Sequence, residues 1–391
     1  MKPKQLGALF IIQVAFNSVG GALGALLPVF AGRLGADASA VGLLFAIAFG
    51  GVAAGVLFSG WLAHRWPNRK AILIGVGFIE VGIMFASGQS TTMIQLTVLT
   101  TMWTFCSGVV ISMANTLAGL SAGEAERGRV FGILASTGGI GGLIGGLVSG
   151  PVVDRWGFGG LFLVAAMMYA AAPIAGLFLE NKTVAQLPGH AASAARAAVW
   201  SRGFIFLVLA TIAAFAVNGM QSLARSLLMD YQHFLAADIT STVSVAGLVS
   251  IPFPFVLGWL SDRVGRKPLI IAGYLATAAC VLVLAASTSL WHFWLSGALA
   301  ALTGASFAVG LALVADLVPA ERLGTALAVF SATNWIGLII GSELTGVAIQ
   351  SLGMTPALLL GGLVGAVSVA LVALIRRPGP VVLAVPVVEA A

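Results

Sequence analysis

The sequence predicts an all-α membrane protein with 12 transmembrane helices in two pseudo-symmetric six-helix bundles. Three observations lead there: the solvent that the composition demands, the distribution of Lys and Arg, and an internal repeat. Of the 391 residues, 59% are hydrophobic and only 8% charged, and the mean hydropathy is +1.06. Soluble globular chains carry about 25% charged residues, so this chain lacks the groups to cover a water-facing surface. The 50 glycines suit close helix approach in lipid, where small residues let backbones touch. The apolar runs are continuous and show no dyad alternation, which excludes a strand barrel.

Spanning a ~30 Å hydrocarbon core takes about 20 apolar residues in a helix. The chain opens Lys2-Pro3-Lys4 and is then apolar to about Phe30. That stretch is too long for the core of a signal peptide and has no convincing cleavage site, so it reads as a retained first span. The first six runs lie at about 6–31, 39–62, 71–88, 93–118, 129–153 and 158–179. A more polar, Ala-rich segment separates them from runs at 203–228, 239–260, 268–288, 291–315, 323–349 and 356–375. The expected organisation is a bundle over 1–180, a central loop over 181–201, a second bundle over 202–377 and a tail over 378–391.

Orientation follows from the basic residues. Of the 19 Lys and Arg, all but Arg33, Arg155 and Arg225 fall in loops or helix ends on the side that holds the N-terminus. The positive-inside rule then puts both termini and the central loop in the cytoplasm. The net charge of +6 is thus a topology signal, not the footprint of a nucleic-acid partner. Cys106 and Cys280 each lie in an apolar run and read as free thiols, with no disulfide framework and no metal pair.

The halves repeat each other. After the second span the chain reads Gly60-Trp-Leu-Ala-His64-Arg65-Trp-Pro-Asn-Arg69-Lys70; after the eighth it reads Gly258-Trp-Leu-Ser-Asp262-Arg263-Val-Gly265-Arg266-Lys267-Pro268. Ala125-Glu126-Arg127 pairs with Ala320-Glu321-Arg322. Ile140-Gly141, Gly145, Gly150 and Gly157 match Ile336-Gly337, Gly341, Gly346 and Gly353, all at an offset of 196. Several matches at nearly one offset, each at the same place in the hydropathy pattern, mark a duplicated unit.

The segment Gly258-x-x-x-Asp262-Arg263-x-Gly265-Arg266-Lys267 resembles the loop signature of the major facilitator superfamily, and the 12-span layout extends the resemblance over essentially the whole chain. The resemblance implies two bundles around a central cavity and alternating access by rocking of the halves. It also implies that the signature forms a cytoplasmic gate: Asp262 should face the start of span 5 near Arg127 and Arg129, closing that side and favouring the outward-open state. The first copy (Gly60, His64, Arg65) departs from the pattern, with His64 in place of the acid, Pro67 in place of glycine and one extra residue. His64 reads either as a pH-sensitive latch or, preferably, as a decayed motif. The family's frequent acid in span 1 and arginine in span 4 have no match, so its usual proton-relay positions do not carry over.

Ionisable residues deep in a span are costly and are functional candidates by default. Glu80 lies mid-span 3, Glu343 in the outer half of span 11 and Arg225 toward the outer end of span 7. Glu343 is preferred to Glu80 as the proton-coupling residue, because the resemblance implies that span 11 contributes to the cavity side and span 3 only supports it. Asn17, Trp103, Asn218, Gln221, Asn334 and Trp335 fall near mid-depth and are the expected cavity-lining residues. Gly146-x-x-x-Gly150-Pro151 is similar to the family's exporter motif, although the glycine pair that should follow is missing.

The resulting expectation is a monomeric carrier of the cytoplasmic membrane that exports an amphipathic or hydrophobic small molecule in exchange for protons. No metal, cofactor or enzymatic activity is expected: no metal-ligand spacing appears, and the serines and histidines show no nucleophile–base arrangement on the cavity helices. Uptake of an organic anion or other nutrient, with Arg225 as anion partner, is the alternative. A non-transporting sensor on the same fold is a third reading, which a plugged cavity or a large extra domain would favour.

Overall fold

The computed structural model describes residues 1–123, 126–181, 200–318 and 322–375, apart from the side chains at 127, 128, 254, 255, 258 and 262. Among these residues the chain is helical and forms no strand. The N-terminal half holds α1 (Pro3–Arg33), α2 (Ala38–Arg65), α3 (Arg69–Ser87), α4 (Met93–Ser121), α5 (Arg127–Ala135) and α6 (Thr137–Gly176). The C-terminal half holds α7 (Arg202–Tyr231), α8 (Ala236–Ser250), α9 (Phe253–Val264), α10 (Arg266–Ala285), α11 (Leu290–Leu317), α12 (Leu323–Leu352) and α13 (Met354–Ala373). The bulk of the central loop, 182–199, and the tail beyond 375 lie outside the described residues.

Two breaks reconcile these helices with twelve spans. At 1.5 Å per residue the 40-residue α6 would reach about 60 Å, twice the hydrocarbon core. It is instead interrupted at Gly157, where φ is 66° and ψ −172°, so α5 with the first part of α6 makes span 5 and the remainder makes span 6. Span 8 is α8 followed by α9, interrupted at Ile251-Pro252, where proline has no N–H for the helical ladder. The turn between spans 11 and 12 repeats the glycine solution: Gly353 has φ 88°. The matched pair Gly157 and Gly353 is therefore a backbone requirement, since L-residues rarely adopt positive φ.

The loops define two faces. The near face carries residue 1, the turn 66–68, residues 122, 123 and 126, and Gly265; the far face carries 34–37, 88–92, Gly157, 232–235, 286–289 and Gly353. Asp37, Asn68, Thr92 and Ser201 cap the helices that follow them, each accepting a backbone N–H at 2.8–3.2 Å.

The loop signature acquires a structural meaning here. Lys70 Nζ donates to Leu177 O at 2.7 Å, and Lys267 Nζ donates to Ala373 O and Ile375 O, each at 2.7 Å. Each lysine thus caps the C-terminal end of the last helix in its own half, where free carbonyls favour a cation. Arg266 pairs with Asp316 at 2.7 Å and also donates to Ala312 O, while Arg263 lies 3.9 Å over the Trp259 ring. The extra residue of the first copy is a different turn. One glycine, Gly265 at φ 91°, joins α9 to α10, whereas Trp66-Pro67-Asn68 joins α2 to α3 and Asn68 supplies the cap. His64 is exposed in the last turn of α2. The expected contact of Asp262 with Arg127 lies outside the described side chains.

The repeated glycines sort into two jobs. A Cβ on Gly145 would sit 2.1 Å from Ser18 O, and one on Gly341 would sit 2.1 Å from Ala216 O, so these positions press span 5 onto span 1 and span 11 onto span 7 within each half. Gly150 and Gly346 act between halves: their added Cβ atoms would meet Ala237 Cα at 2.4 Å and Ala38 O at 2.5 Å. Around them Asp154 accepts from Ala236 N (3.1 Å) and Ala237 N (3.0 Å), and Arg33 faces Asp230 at 3.7 Å. The contacts between the halves lie toward the far face.

The apolar core divides the same way. One cluster runs through the N-terminal half and continues into far-face residues of the other half, including Leu223, Met229, Ile239 and Phe293. A second, built on Phe204, Ile270, Tyr274, Phe330 and their neighbours, belongs to the near-face part of the C-terminal half alone. On the near side α5 and α9 touch far less than α6 and α8 do on the far side. The halves are joined at the far face and part toward the near face.

Candidate substrate cavity and buried carboxyl groups

Between the halves at mid-depth lies a cavity of about 230 Å³ walled by α1, α2 and α4, with Ser222 of α7 and Trp335 of α12 closing it from the other half. Its wall is aromatic and aliphatic: Phe16, Phe45, Phe49, Trp103 and Trp335 contribute rings, and Thr100, Thr104, Ser107 and Ser222 contribute hydroxyls. No charged side chain lines it among the described residues. Phe49 and Trp335 approach across the halves with centroids 6.4 Å apart. Trp103 is buried, and its indole N–H has no acceptor among the described residues.

Of the six residues expected to line the cavity, the structure places Trp103 and Trp335 on its wall. Asn17 belongs to a polar chain beside it. Its amide donates to Gln13 O (2.8 Å) and Thr137 Oγ1 (3.3 Å), Thr137 donates to Gln13 Oε1 (3.2 Å), and Gln13 donates to Asn115 Oδ1 (2.9 Å). Asn218 and Gln221 pair with each other at 3.4 Å, and Gln221 Oε1 is 3.8 Å from the Cys280 thiol. Asn334 is half-buried and its Oδ1 finds no partner among the described residues. These four stay within their own halves and off this wall.

The two expected acids differ in setting. Glu343 is half-buried, and one carboxyl oxygen is buried without a hydrogen-bond partner among the described residues. Glu80 has no exposed surface at all. It accepts a hydrogen bond from Ser107 Oγ through Oε1, its Oε2 has no partner among the described residues, and the Tyr169 hydroxyl of span 6 lies beside it. Ser107 is therefore at once a cavity-wall residue and the hydrogen-bond donor to Glu80. Composition and hydropathy missed it, although the repeat held a clue. The counterpart pair at offsets 197 and 196 is Thr277 and Thr303, whose hydroxyls are hydrogen-bonded in the C-terminal half.

Arg225 is also buried; Cys280 lies near it, and Nη1 has no hydrogen-bond partner among the described residues. It packs beside Gly297 of α11 and does not line the cavity. No group of His, Cys, Asp and Glu suited to a metal ion occurs among the described residues.

The family description Major Facilitator Superfamily matches residues 9–224 and again 206–389, once for each half. The chain belongs to the Major Facilitator Superfamily. The family and fold are those of multi-pass membrane transporters and not of enzymes. The chain is 28% identical over 144 residues to the tetracycline resistance protein, class H, of Pasteurella multocida, covering 36% of each. It is 30% identical over 165 residues to the multidrug resistance protein MdtG of Enterobacter lignolyticus, covering 40% of this chain and 39% of that one. The matches thus span under half the length of these relatives. Among solved structures, a peptide transporter POT in complex with sulfate superposes with a TM-score of 0.78 at 16% identity, over 96% of this chain and 94% of that one. The nucleoside transporter NupG gives 0.73 at 16% identity over 95% and 98%. A bacterial homologue of the human lysosomal transporter Spinster, described as inward-facing and unoccupied, gives 0.69 at 16% over 96% and 95%. At this identity the likeness is one of fold.

Proposed function

We propose that this chain exports amphipathic or hydrophobic small molecules across the bacterial cytoplasmic membrane in exchange for protons, by alternating access of the halves 1–180 and 202–377. The observation that carries the reading is the uncharged, aromatic-walled cavity at mid-depth between the halves. Such a wall binds by apolar burial and ring stacking and selects loosely among ligands. The tetracycline and multidrug resistance relatives support export. With the near face cytoplasmic, as the Lys and Arg distribution requires, the far-face contacts make this the inward-facing state. The Asp262 loop would then close the near face in the opposite state.

Glu80 becomes the first choice for the proton site and Glu343 the second, because only Glu80 reaches the cavity wall through a hydrogen bond. The uptake alternative draws little support from Arg225, which is walled off from the cavity. Inside-out membrane vesicles with an imposed proton gradient and the lipophilic probe ethidium test the proposal. Accumulation that stops when the gradient is collapsed is the expected result, and Glu80→Gln should lose it while still binding ethidium. Gradient-driven accumulation in right-side-out vesicles instead would reverse the direction.

A further inference from the structure

Glu80 lies between two very different surroundings. On one side, α2, α3 and α4 leave a lipid-side groove of about 870 Å³ walled by apolar residues such as Ile47, Ile79 and Ile83, with the Cys106 thiol at its edge. Protons do not enter through hydrocarbon. On the other side stands Ser107, whose hydroxyl touches the carboxyl and whose side chain forms part of the cavity wall. The other titratable groups facing Glu80 are Tyr169 of span 6 and Cys106 of α4, and neither lines the central cavity.

Ser107 is also held in place. The next residue, Gly108, packs so closely on α2 that an added Cβ would lie 2.2 Å from Val52 O; one on Gly55 would lie 2.1 Å from Phe105 O. The equivalent contact in the other half joins two threonines, so the fold closes this span 3–span 4 contact without a carboxyl. A carboxyl at this depth is costly, and stability alone does not explain its presence in one half.

We infer that Ser107 is the proton relay between the central cavity and Glu80. In the loading step a hydronium ion among the cavity waters passes a proton to Ser107 Oγ, leaving a neutral water, while the serine's own hydroxyl proton moves to Glu80 Oε1. One O–H bond of the serine breaks as the carboxyl O–H forms, and the serine hydroxyl is restored by the incoming proton. Unloading runs the same step in reverse. A ligand seated against Trp103 and Ser107 displaces the water that feeds the relay, so substrate and proton compete for one wall.

This inference rests on Glu80 being the proton site, and the test separates the two. Stopped-flow pH jumps on the purified full chain, read by infrared, follow the carboxyl band that Glu80→Gln removes. Ser107→Ala should slow its appearance at least ~10-fold, since a positioned proton donor contributes about 10²–10⁴ in rate. Ser107→Thr, which keeps the hydroxyl, should restore it. The wild-type rate should fall in D2O, a measurement that needs no variant to fold. Equal rates for wild type and Ser107→Ala, or no isotope effect, overturn the relay while leaving Glu80 as the proton site. If Glu80→Gln removes no titrating band and still transports ethidium, the Glu80 assignment falls and the relay with it.

Discussion

Trp103 combines an apolar ring on the cavity wall with an N–H that finds no acceptor among the described residues. Buried donors without partners are costly, so this one is a natural anchor for a ligand carbonyl or hydroxyl. Trp103→Phe should keep the stacking surface and remove the anchor. Affinity for acceptor-bearing ligands should fall about 10-fold, near 1.4 kcal/mol, with little change for ligands that have no acceptor. Competition against ethidium transport measures both. A different residue-level role belongs to Lys267, which meets carbonyls at the end of α13. Lys267→Ala should lower stability by about 1 kcal/mol without changing transport direction, as read by thermal unfolding. Lys70→Ala should behave alike, because Lys70 does the same for the end of α6.

At the scale of elements, the glycines of span 5 separate folding from switching. Gly145 lies on Ser18 within its half, a contact that every state needs; Gly150 lies on α8 across the far face, a contact that only the present state needs. Gly145→Leu should therefore abolish folded protein, whereas Gly150→Leu should yield folded protein biased toward far-face opening. Asp154 adds two hydrogen bonds to the start of α8. Asp154→Ala should cost this closed face about 1–2 kcal/mol, a factor of about 5–30 in population. Spin labels on the far ends of spans 5 and 8 would read both shifts as a longer distance. An unchanged distance distribution would mean that the far face is held elsewhere.

For the whole molecule, the state follows from which face binds the halves together. Arg33 and Asp230 end spans 1 and 7 at matching positions of the repeat and meet across the far face. Cysteines at these two positions, in a protein whose Cys106 and Cys280 are replaced by alanine, allow a cleavable cross-linker to hold that face shut. Transport should stop on cross-linking and return on reduction. Transport that continues under the cross-link would contradict a rocking mechanism.

The sequence by itself determined the solvent, the number of spans, the duplication and the family. These depend on composition and periodicity along one dimension, which a bilayer enforces by requiring about 20 apolar residues for each crossing. It also flagged Glu80, because any buried carboxyl is conspicuous in an apolar run. Which face of each helix meets which neighbour was not legible. Spans that are apolar all round have almost no amphipathic direction, so nothing along the chain says that Gln13 pairs with Asn115 or that Ser107 turns toward both Glu80 and the cavity. Those relations were decided by packing, above all by the glycines that fix how spans 2 and 4, 1 and 5, and 7 and 11 approach. The tertiary structure alone therefore put Glu80, on a span that the resemblance made a mere support, one hydroxyl away from the cavity.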